Sequence, residues 1–139
     1  MSDNKTTMLR LYEEVFNAGN LEAIDEIVAD DFVEHEELPP GIPQGKGAPQ
    51  ALVTMMRGAF PDFHATVEEM LEDGNKVITR VRFSGTHQGE FMGIPPTGKR
   101  FDIPVIDIVE FRDGKGIAHW GIMDQAGMMG QLGVGGPPA

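Results

Sequence analysis

The residues around Asp124 have the types and spacing that acid/base chemistry requires. They belong to the stretch from His119 to Asp124, which follows a glycine-containing turn at residues 112–116. The apolar and aromatic content of this stretch predicts a strand buried on both faces. Because side chains alternate along a strand, Trp120, Ile122 and Asp124 would share one face. A carboxylate beside those apolar groups would be desolvated, which would raise its pKa and let it exchange protons near neutral pH.

A simpler interpretation of Asp124 is open as well. An aspartate at the end of a strand commonly caps the strand or faces water. His119 would lie on the opposite face, so the two residues would form a dyad only if the strand were distorted.

The four histidines, His35, His64, His87 and His119, are the other candidates for a polar site. Each could polarise a substrate carbonyl, or could be an exposed or hydrogen-bonded structural residue. His64 is the weakest candidate, because it alternates with apolar residues in a strand that starts from a turn. His87 has the parity of Phe83 if no bulge intervenes.

Two further patterns only approximate known ligand sites. Residues 93–100 nearly match a phosphate-binding loop, but the two prolines lack N–H donors and Arg100 stands where a hydroxyl is needed. Residues 35–39 begin like a zinc-binding helix, but the second histidine is missing and prolines follow. The sequence therefore predicts neither a nucleotide site nor a metal site.

The composition narrows the class of protein. The chain has 139 residues, 40% of them hydrophobic, which suits a single domain with its own core. A net charge of -11 with no Lys/Arg cluster argues against a nucleic-acid partner. We find no signal-peptide pattern, no apolar run long enough for a membrane span and no cysteine, so the simplest expectation is a soluble, cytoplasmic protein.

The first half of the chain reads as helical. Apolar spacing predicts a helix over residues 8–16 and a second over 21–28. A short strand at 32–35 and a long turn-rich loop at 38–47 follow, and Pro49 fits the first turn of a third helix that ends near residue 59.

The second half alternates with a period of two. Residues 63–68 and 77–84 predict a hairpin, and residues 101–111 predict a third strand that precedes the Asp124 strand. Pro104 within that third strand predicts a bulge or an edge position. Helices followed by antiparallel strands indicate an α+β domain over residues 1–132, and residues 133–139 are expected to form a flexible tail.

Several motifs together resemble the SnoaL-like polyketide cyclases, also called predicted ester cyclases, of the NTF2-like superfamily. The resemblance spans almost the whole chain. It rests on Val33-Glu34-His35, Phe60-Pro61-Asp62, residues 85–98, Asp113-Gly114-Lys115, His119-Trp120 with Asp124, and Gln131-Leu132-Gly133. The implied fold is a cone, in which a strongly curved, mainly antiparallel sheet wraps around the N-terminal helices and leaves an internal pocket.

The resemblance also implies a function. The founding cyclases close a ring of an aromatic polyketide ester by intramolecular aldol addition, and by motif position the proposed general acid/base falls on Asp124. The resemblance implies two further sets of site residues. Three histidines could orient the substrate carbonyls: His35, His87 and His119. Three apolar residues would line the cavity: Trp120, Phe83 and Ile106. The resemblance implies no metal and no cofactor, and a homodimer or higher homo-oligomer.

Three functions are consistent with these observations. The leading hypothesis is a cyclase or isomerase that acts on an apolar keto or ester compound through Asp124. The alternative is a non-catalytic NTF2-like domain that binds a hydrophobic small molecule. A third is a regulatory dimer whose cavity is filled by its own side chains.

Overall fold

The N-terminal helix begins earlier than its apolar spacing predicts. The structure, a computed structural model, describes residues 2–38 and 41–134. Helix α1 spans Asp3–Arg10. It begins at Asp3 because the Ser2 side chain caps it by accepting a hydrogen bond from the Lys5 backbone N–H. The helix continues as a π-helical segment over Leu11–Asn17, which buries Tyr12 against the core.

The second predicted helix is cut short by a strand. A 3-10 turn at Leu21–Ala23 leads into α2, which spans only Ile24–Ile27. Strand β1 then covers Val28–Glu34, because Val28 adopts extended dihedral angles and pairs with Gly116. The prediction of helix through residue 28 is therefore wrong at its end.

The predicted third helix and the predicted strands are confirmed, with somewhat different ends. They are α3 at Gly47–Ala59, β2 at His64–Asp73, β3 at Lys76–Thr86, β4 at Arg100–Arg112 and β5 at Lys115–Met123. The five strands form one sheet in the order β1-β5-β4-β3-β2, in which β1 is parallel to β5 and all other neighbours are antiparallel. This confirms the expected α+β class with a mainly antiparallel sheet.

Pro104 lies at an edge, as its lack of an N–H donor requires. Strand β5 pairs with β4 only from Val105 onward, so β4 has a neighbour on one side alone at Pro104. The irregularity between β4 and β5 falls elsewhere, between Glu110 and Phe111.

The two faces of the sheet differ in polarity. Alternate residues of β3 and β4 are buried against the helices, and a single apolar cluster joins the inner face to α1, α3 and the π-helical segment. The outer face carries Arg80 and Arg82, which pair with acidic neighbours, and the exposed side chains of Ile106 and Ile122.

A fourth helix, α4, follows β5 over Gln125–Leu132 and was not predicted. Gly133 ends it with φ of 78°, and the Val134 N–H donates to the Met129 carbonyl. The rest of the predicted tail, residues 135–139, lies outside the described residues. Within residues 2–38 and 41–134, none of the helices has the length and apolar character that crossing a membrane would require.

Candidate active site

A cavity lies between the inner face of the sheet and the helices. Most of its lining is apolar and includes Phe16, Phe32, Met55, Phe83, Met92 and Met123. Its polar lining residues are Tyr12, Glu34, Glu36, Asp107, His119 and Gln125, and none of the described lining residues is a lysine or an arginine. The cavity thus combines apolar walls with one acidic region, an arrangement typical of small-molecule sites.

His119 lies at the centre of the polar region. The ring atoms Nδ1 and Nε2 lie 2.6 Å from Glu34 Oε1 and 2.8 Å from Asp107 Oδ1, respectively. Burial opposes a charge on the ring, but the hydrogen bonds to Asp107 and Glu34 outweigh it and raise the pKa of His119 from 6.5 to about 10. The ring is therefore an imidazolium at neutral pH that donates both N–H groups to carboxylates.

Asp107 is held by a second buried partner. The Tyr12 hydroxyl donates to Asp107 Oδ2 at 2.7 Å. Burial and the neighbouring Asp107 carboxylate raise the pKa of Tyr12 well above its usual 10. Tyr12 therefore keeps its proton, acting as a donor rather than a base.

Glu36 is the carboxyl group best suited to proton transfer. Burial, opposed by the His119 charge and reinforced by Asp107 and Glu34, raises its pKa from 4.5 to about 7. Its backbone N–H donates to Glu34 Oε1 at 2.9 Å, and its carboxyl group lies against the Cα of Gly121. Glu36 can thus both accept and donate a proton near neutral pH.

The same region has three ligand types that a metal ion could use. One donor atom each from Glu36, Asp107 and His119 lie within 4.8 Å of one another. However, His119 donates both ring N–H groups to carboxylates and has no lone pair to offer a metal. The contacts therefore describe a hydrogen-bonded ion cluster better than a metal centre.

The structure places Asp124 outside this network. Asp124 is exposed and is the N-cap of α4, where its side chain accepts a hydrogen bond from the Gly127 N–H at 2.9 Å. The expectation of a desolvated carboxyl is therefore wrong, because the chain turns into a helix at this residue. Its flanking residues Met123 and Gln125 line the cavity, and a role in proton transfer stays a prediction.

The inward face of β5 is the His119 face. His119, Gly121 and Met123 pair with the inward residues of β4, whereas Trp120 and Ile122 point outward. The outward face is not buried: Ile122 is 76% exposed. A strand buried on both faces was therefore a wrong prediction.

The residues predicted to surround a substrate fall into two groups. His119 and Phe83 line the cavity. Trp120 and Ile106 do not: Ile106 is 42% exposed and pairs with Ile122 on the outer face, so their predicted place in the cavity wall is corrected.

The other two candidate histidines lie away from the cavity. His35 is exposed, and its ring stacks on Trp120 on the outer face. His87 is fully buried against Phe60 and Phe91, and its Nδ1 accepts a hydrogen bond from the Thr97 N–H. Neither ring is among the residues that line the cavity.

Sequence reasoning missed four members of the network: Tyr12, Glu34, Glu36 and Asp107. Two signals pointed to them. Asp107 is the one carboxylate among the inward, otherwise apolar positions of β4, where an unpaired charge would be costly. Glu34 and Glu36 flank His35 at a spacing of two, which places both on one face of an extended segment.

Comparisons with known proteins identify the family and its relatives. The sequence pattern of the SnoaL-like polyketide cyclase family matches residues 6–132. Nogalonic acid methyl ester cyclase of Streptomyces nogalater is 32% identical over 120 residues, covering 85% of this chain and 89% of that protein. Aklanonic acid methyl ester cyclase DauD of Streptomyces sp. (strain C5) is 33% identical over 134 residues, covering 91% of this chain and 80% of that protein.

Solved structures show the same fold. IdmH from Streptomyces antibioticus superposes with a TM-score of 0.82 at 37% identity, covering 96% of this chain and 100% of that one. TsrD from Streptomyces laurentii superposes with a TM-score of 0.84 at 27% identity, covering 94% of this chain and 95% of that one.

Proposed function

Because the chain belongs to the SnoaL-like polyketide cyclase family, we propose that it is a cofactor-independent cyclase that closes a ring by intramolecular aldol addition. In this proposal Glu36 is the general acid/base. The observation that carries the assignment is the position of its carboxyl group, which lies in the acidic region of an otherwise apolar cavity with a pKa of about 7.

The first step would be removal of a carbon-bound proton. The Glu36 carboxylate takes the acidic hydrogen from a carbon between two carbonyl groups, and the C–H electron pair moves into a delocalised enolate. Glu36 is then a neutral acid beside the cation of His119 and the carboxylate of Asp107.

The second step would return that proton. The enolate carbon attacks a ketone carbon of the same molecule, one carbon–carbon bond forms, and the ketone oxygen becomes an alkoxide. Glu36 donates its proton to that oxygen and is again a carboxylate. The product is an isomer of the substrate, and neither an oxidant nor a reductant is consumed.

The surrounding network sets the conditions for Glu36. Burial and the carboxylates of Asp107 and Glu34 raise the pKa of Glu36, while the imidazolium of His119 lowers it by stabilising the charged form. Tyr12 orients Asp107, which in turn orients His119. Since every N–H of the His119 ring is already committed, His119 supplies charge and placement rather than a proton.

The lining also favours a neutral substrate. Glu34, Glu36 and Asp107 outnumber the single cation His119, and none of the described lining residues is Lys or Arg. A substrate carboxylate would be repelled here, whereas an ester would enter the apolar walls without an unpaired charge. This supports an ester substrate of the kind named for the curated relatives.

The test is ring closure of nogalonic acid methyl ester and aklanonic acid methyl ester, followed by chromatography and mass spectrometry. We expect an isomer of unchanged mass from an ester, no turnover of the corresponding free acid, and a kcat/KM that rises with pH through about 7 as Glu36 ionises. Glu36→Gln should lower kcat by about 100-fold or more. Asp124→Asn is the matched variant and should retain turnover.

Other outcomes would redirect the proposal. Loss of turnover in Asp124→Asn with activity retained in Glu36→Gln would transfer the acid/base role to Asp124. Recovery of both esters unchanged, with a ligand-dependent rise in Tm, would favour the non-catalytic binding domain. The proposal also includes a cytoplasmic location, as expected from the sequence, and a homodimer or higher homo-oligomer, as the family resemblance implies. Light scattering of the purified chain tests the oligomeric state.

A further inference from the structure

An aromatic stack lies on the outer face of the sheet, directly behind the candidate active site. The rings of His35 and Trp120 are 4.7 Å apart between centroids and only 3° from parallel, and Lys76 Nζ lies 5.2 Å from the centre of the Trp120 ring. Neither ring lines the cavity. Yet His35 stands in the chain between Glu34 and Glu36, the two carboxylates of the site that come from one segment.

The stack and the site lie on opposite faces of the sheet, at the same pairing of β1 with β5. Glu34 lies opposite His119 in the parallel β1–β5 ladder, and the His35 N–H donates to the His119 carbonyl at 2.9 Å. Because side chains alternate, His35 meets Trp120 outside at the same place where Glu34 meets His119 inside. A slip of one residue would turn Glu34 away from the cavity.

This end of β1 has a neighbouring strand on one side only. The strand lies at the edge of the sheet, its register with β5 shifts between Val28 and Val33, and it ends at Glu34. Beyond Glu34, the hydrogen bond that Glu36 makes to another described residue runs from its own N–H to the Glu34 side chain. The position of the Glu36 carboxyl therefore needs a restraint that the sheet alone supplies weakly.

We propose that the stack of His35 on Trp120 is that restraint. It holds the end of β1 in the register that places the Glu34 carboxylate on His119 and the Glu36 carboxyl against Gly121. His35 and Trp120 are positioning residues, because they act through the segment they hold and do not touch the cavity. The inference rests on the proposed function only in giving Glu36 the acid/base role, since the placement of Glu36 is measurable without a substrate.

The stack should control how much water reaches Glu36. The groups that face the Glu36 carboxyl are His119 from β5, Asp107 from β4, Glu34 from β1 and, further away, Tyr12. Removing a ring on the outer face replaces none of these groups. Burial is the largest cause of the raised pKa of Glu36, so a segment that moves outward would let that pKa fall toward 4.5.

The experiment is a carbon-13 NMR titration of the Glu36 side chain in the full chain, with Glu36→Gln to assign the signal. His35→Ala removes the stack, and we expect the titration midpoint to fall by about one pH unit. His35→Phe keeps a flat ring on Trp120 and should retain the midpoint of the unaltered protein. Trp120→Ala should act like His35→Ala. Ile106→Ala, which replaces an outward residue of β4 outside the stack, is the matched control and should change nothing.

Two results would overturn the inference. One is an unchanged Glu36 midpoint in His35→Ala. The other is a midpoint in His35→Phe that falls as far as in His35→Ala, because stacking would then not be the cause. Circular dichroism checks that each variant is folded.

The titration is independent of turnover, so the two proposals can fail separately. If Glu36→Gln still closes the ring but the His35→Ala midpoint falls as expected, the acid/base assignment is wrong and the positioning role stands. If Glu36→Gln is inactive but the midpoint does not move, the positioning role is wrong and the assignment stands.

Discussion

Glu36 lies so close to Gly121 that a Cβ atom at position 121 would overlap Glu36 Oε1. The same Cβ would come within 2.8 Å of Asp107 Oδ1 and of His119 Cε1. The Glu36 carboxyl thus occupies the space that a side chain at position 121 would fill. A glycine in the middle of a strand usually weakens it, and here its lack of a side chain allows the close approach.

Replacing Gly121 by alanine should therefore displace Glu36 from its site. We expect Gly121→Ala to lower kcat by about 10-fold or more, because proton transfer requires a donor and acceptor in hydrogen-bond reach. The measurement is turnover of an ester substrate together with the Glu36 titration midpoint. Gly130→Ala is the control, since a Cβ at Gly130 meets no atom within 4 Å. Full activity of Gly121→Ala would contradict the close packing of these two residues.

The ion cluster of His119 predicts a specific loss of stability at alkaline pH. The folded-state pKa of His119 is about 10 and its ordinary value is 6.5, so the folded chain holds a proton that the unfolded chain has released. This stabilisation is complete below about pH 6.5 and disappears as the pH rises through about 10. Its size is on the order of 3 to 5 kcal/mol.

Urea unfolding between about pH 8 and 10 measures how the free energy of unfolding changes with pH. Glu36 is already mostly ionised in this range, so it contributes little to the change. His119→Gln should flatten this dependence of stability on pH, even though it also lowers stability at neutral pH by leaving two carboxylates without their cation. A variant with the slope of the unaltered protein would show that His119 does not carry the linked proton.

The hydrogen bond from Tyr12 to Asp107 should contribute to stability. Tyr12→Phe removes a buried donor to a carboxylate, which costs about 1.5 to 3 kcal/mol. Urea unfolding of Tyr12→Phe, Asp107→Asn and the double variant forms a complete cycle. The double variant should be less destabilised than the sum of the single changes, because the two residues share one interaction. Strict additivity would mean that the contact contributes nothing.

Asp124 should matter for stability through its cap. Asp124→Ala removes the acceptor for the Gly127 N–H and should destabilise the protein by about 1 kcal/mol. Asp124→Ser supplies another N-cap oxygen and should recover most of this loss. Thermal unfolding of the two variants compares them directly, and equal Tm values would argue against the cap.

Much of the fold can be read locally. The hairpin of β2 and β3, the strand β4 and helix α3 follow from periodicity and turn residues, because these signals depend on neighbours in the chain. The motifs spread from Val33 to Gly133 were enough to indicate the family that the comparisons show. Helix α4 was missed because its eight residues include two glycines, which are poor helix formers.

The site depended on contacts between distant parts of the chain. Strand alternation separated His119 from Trp120, but it could not say which of the two points inward. That choice is made by pairing: His119 lies opposite the buried Val109 of β4, and β1 docks beside it. Likewise, residues 85 and 95 positions apart meet in the contacts of His119 with Glu34 and of Asp107 with Tyr12.

By itself, then, the sequence determined the family, the α+β class and the presence of acidic and histidine side chains that could transfer protons. Only the tertiary structure decided which of them meet. Asp124 became an exposed helix cap, whereas Glu36 was brought into an apolar cavity beside His119. The physical reason is that the pKa of a carboxyl depends on burial and on nearby charges, and both arise from packing between segments that are remote in the chain.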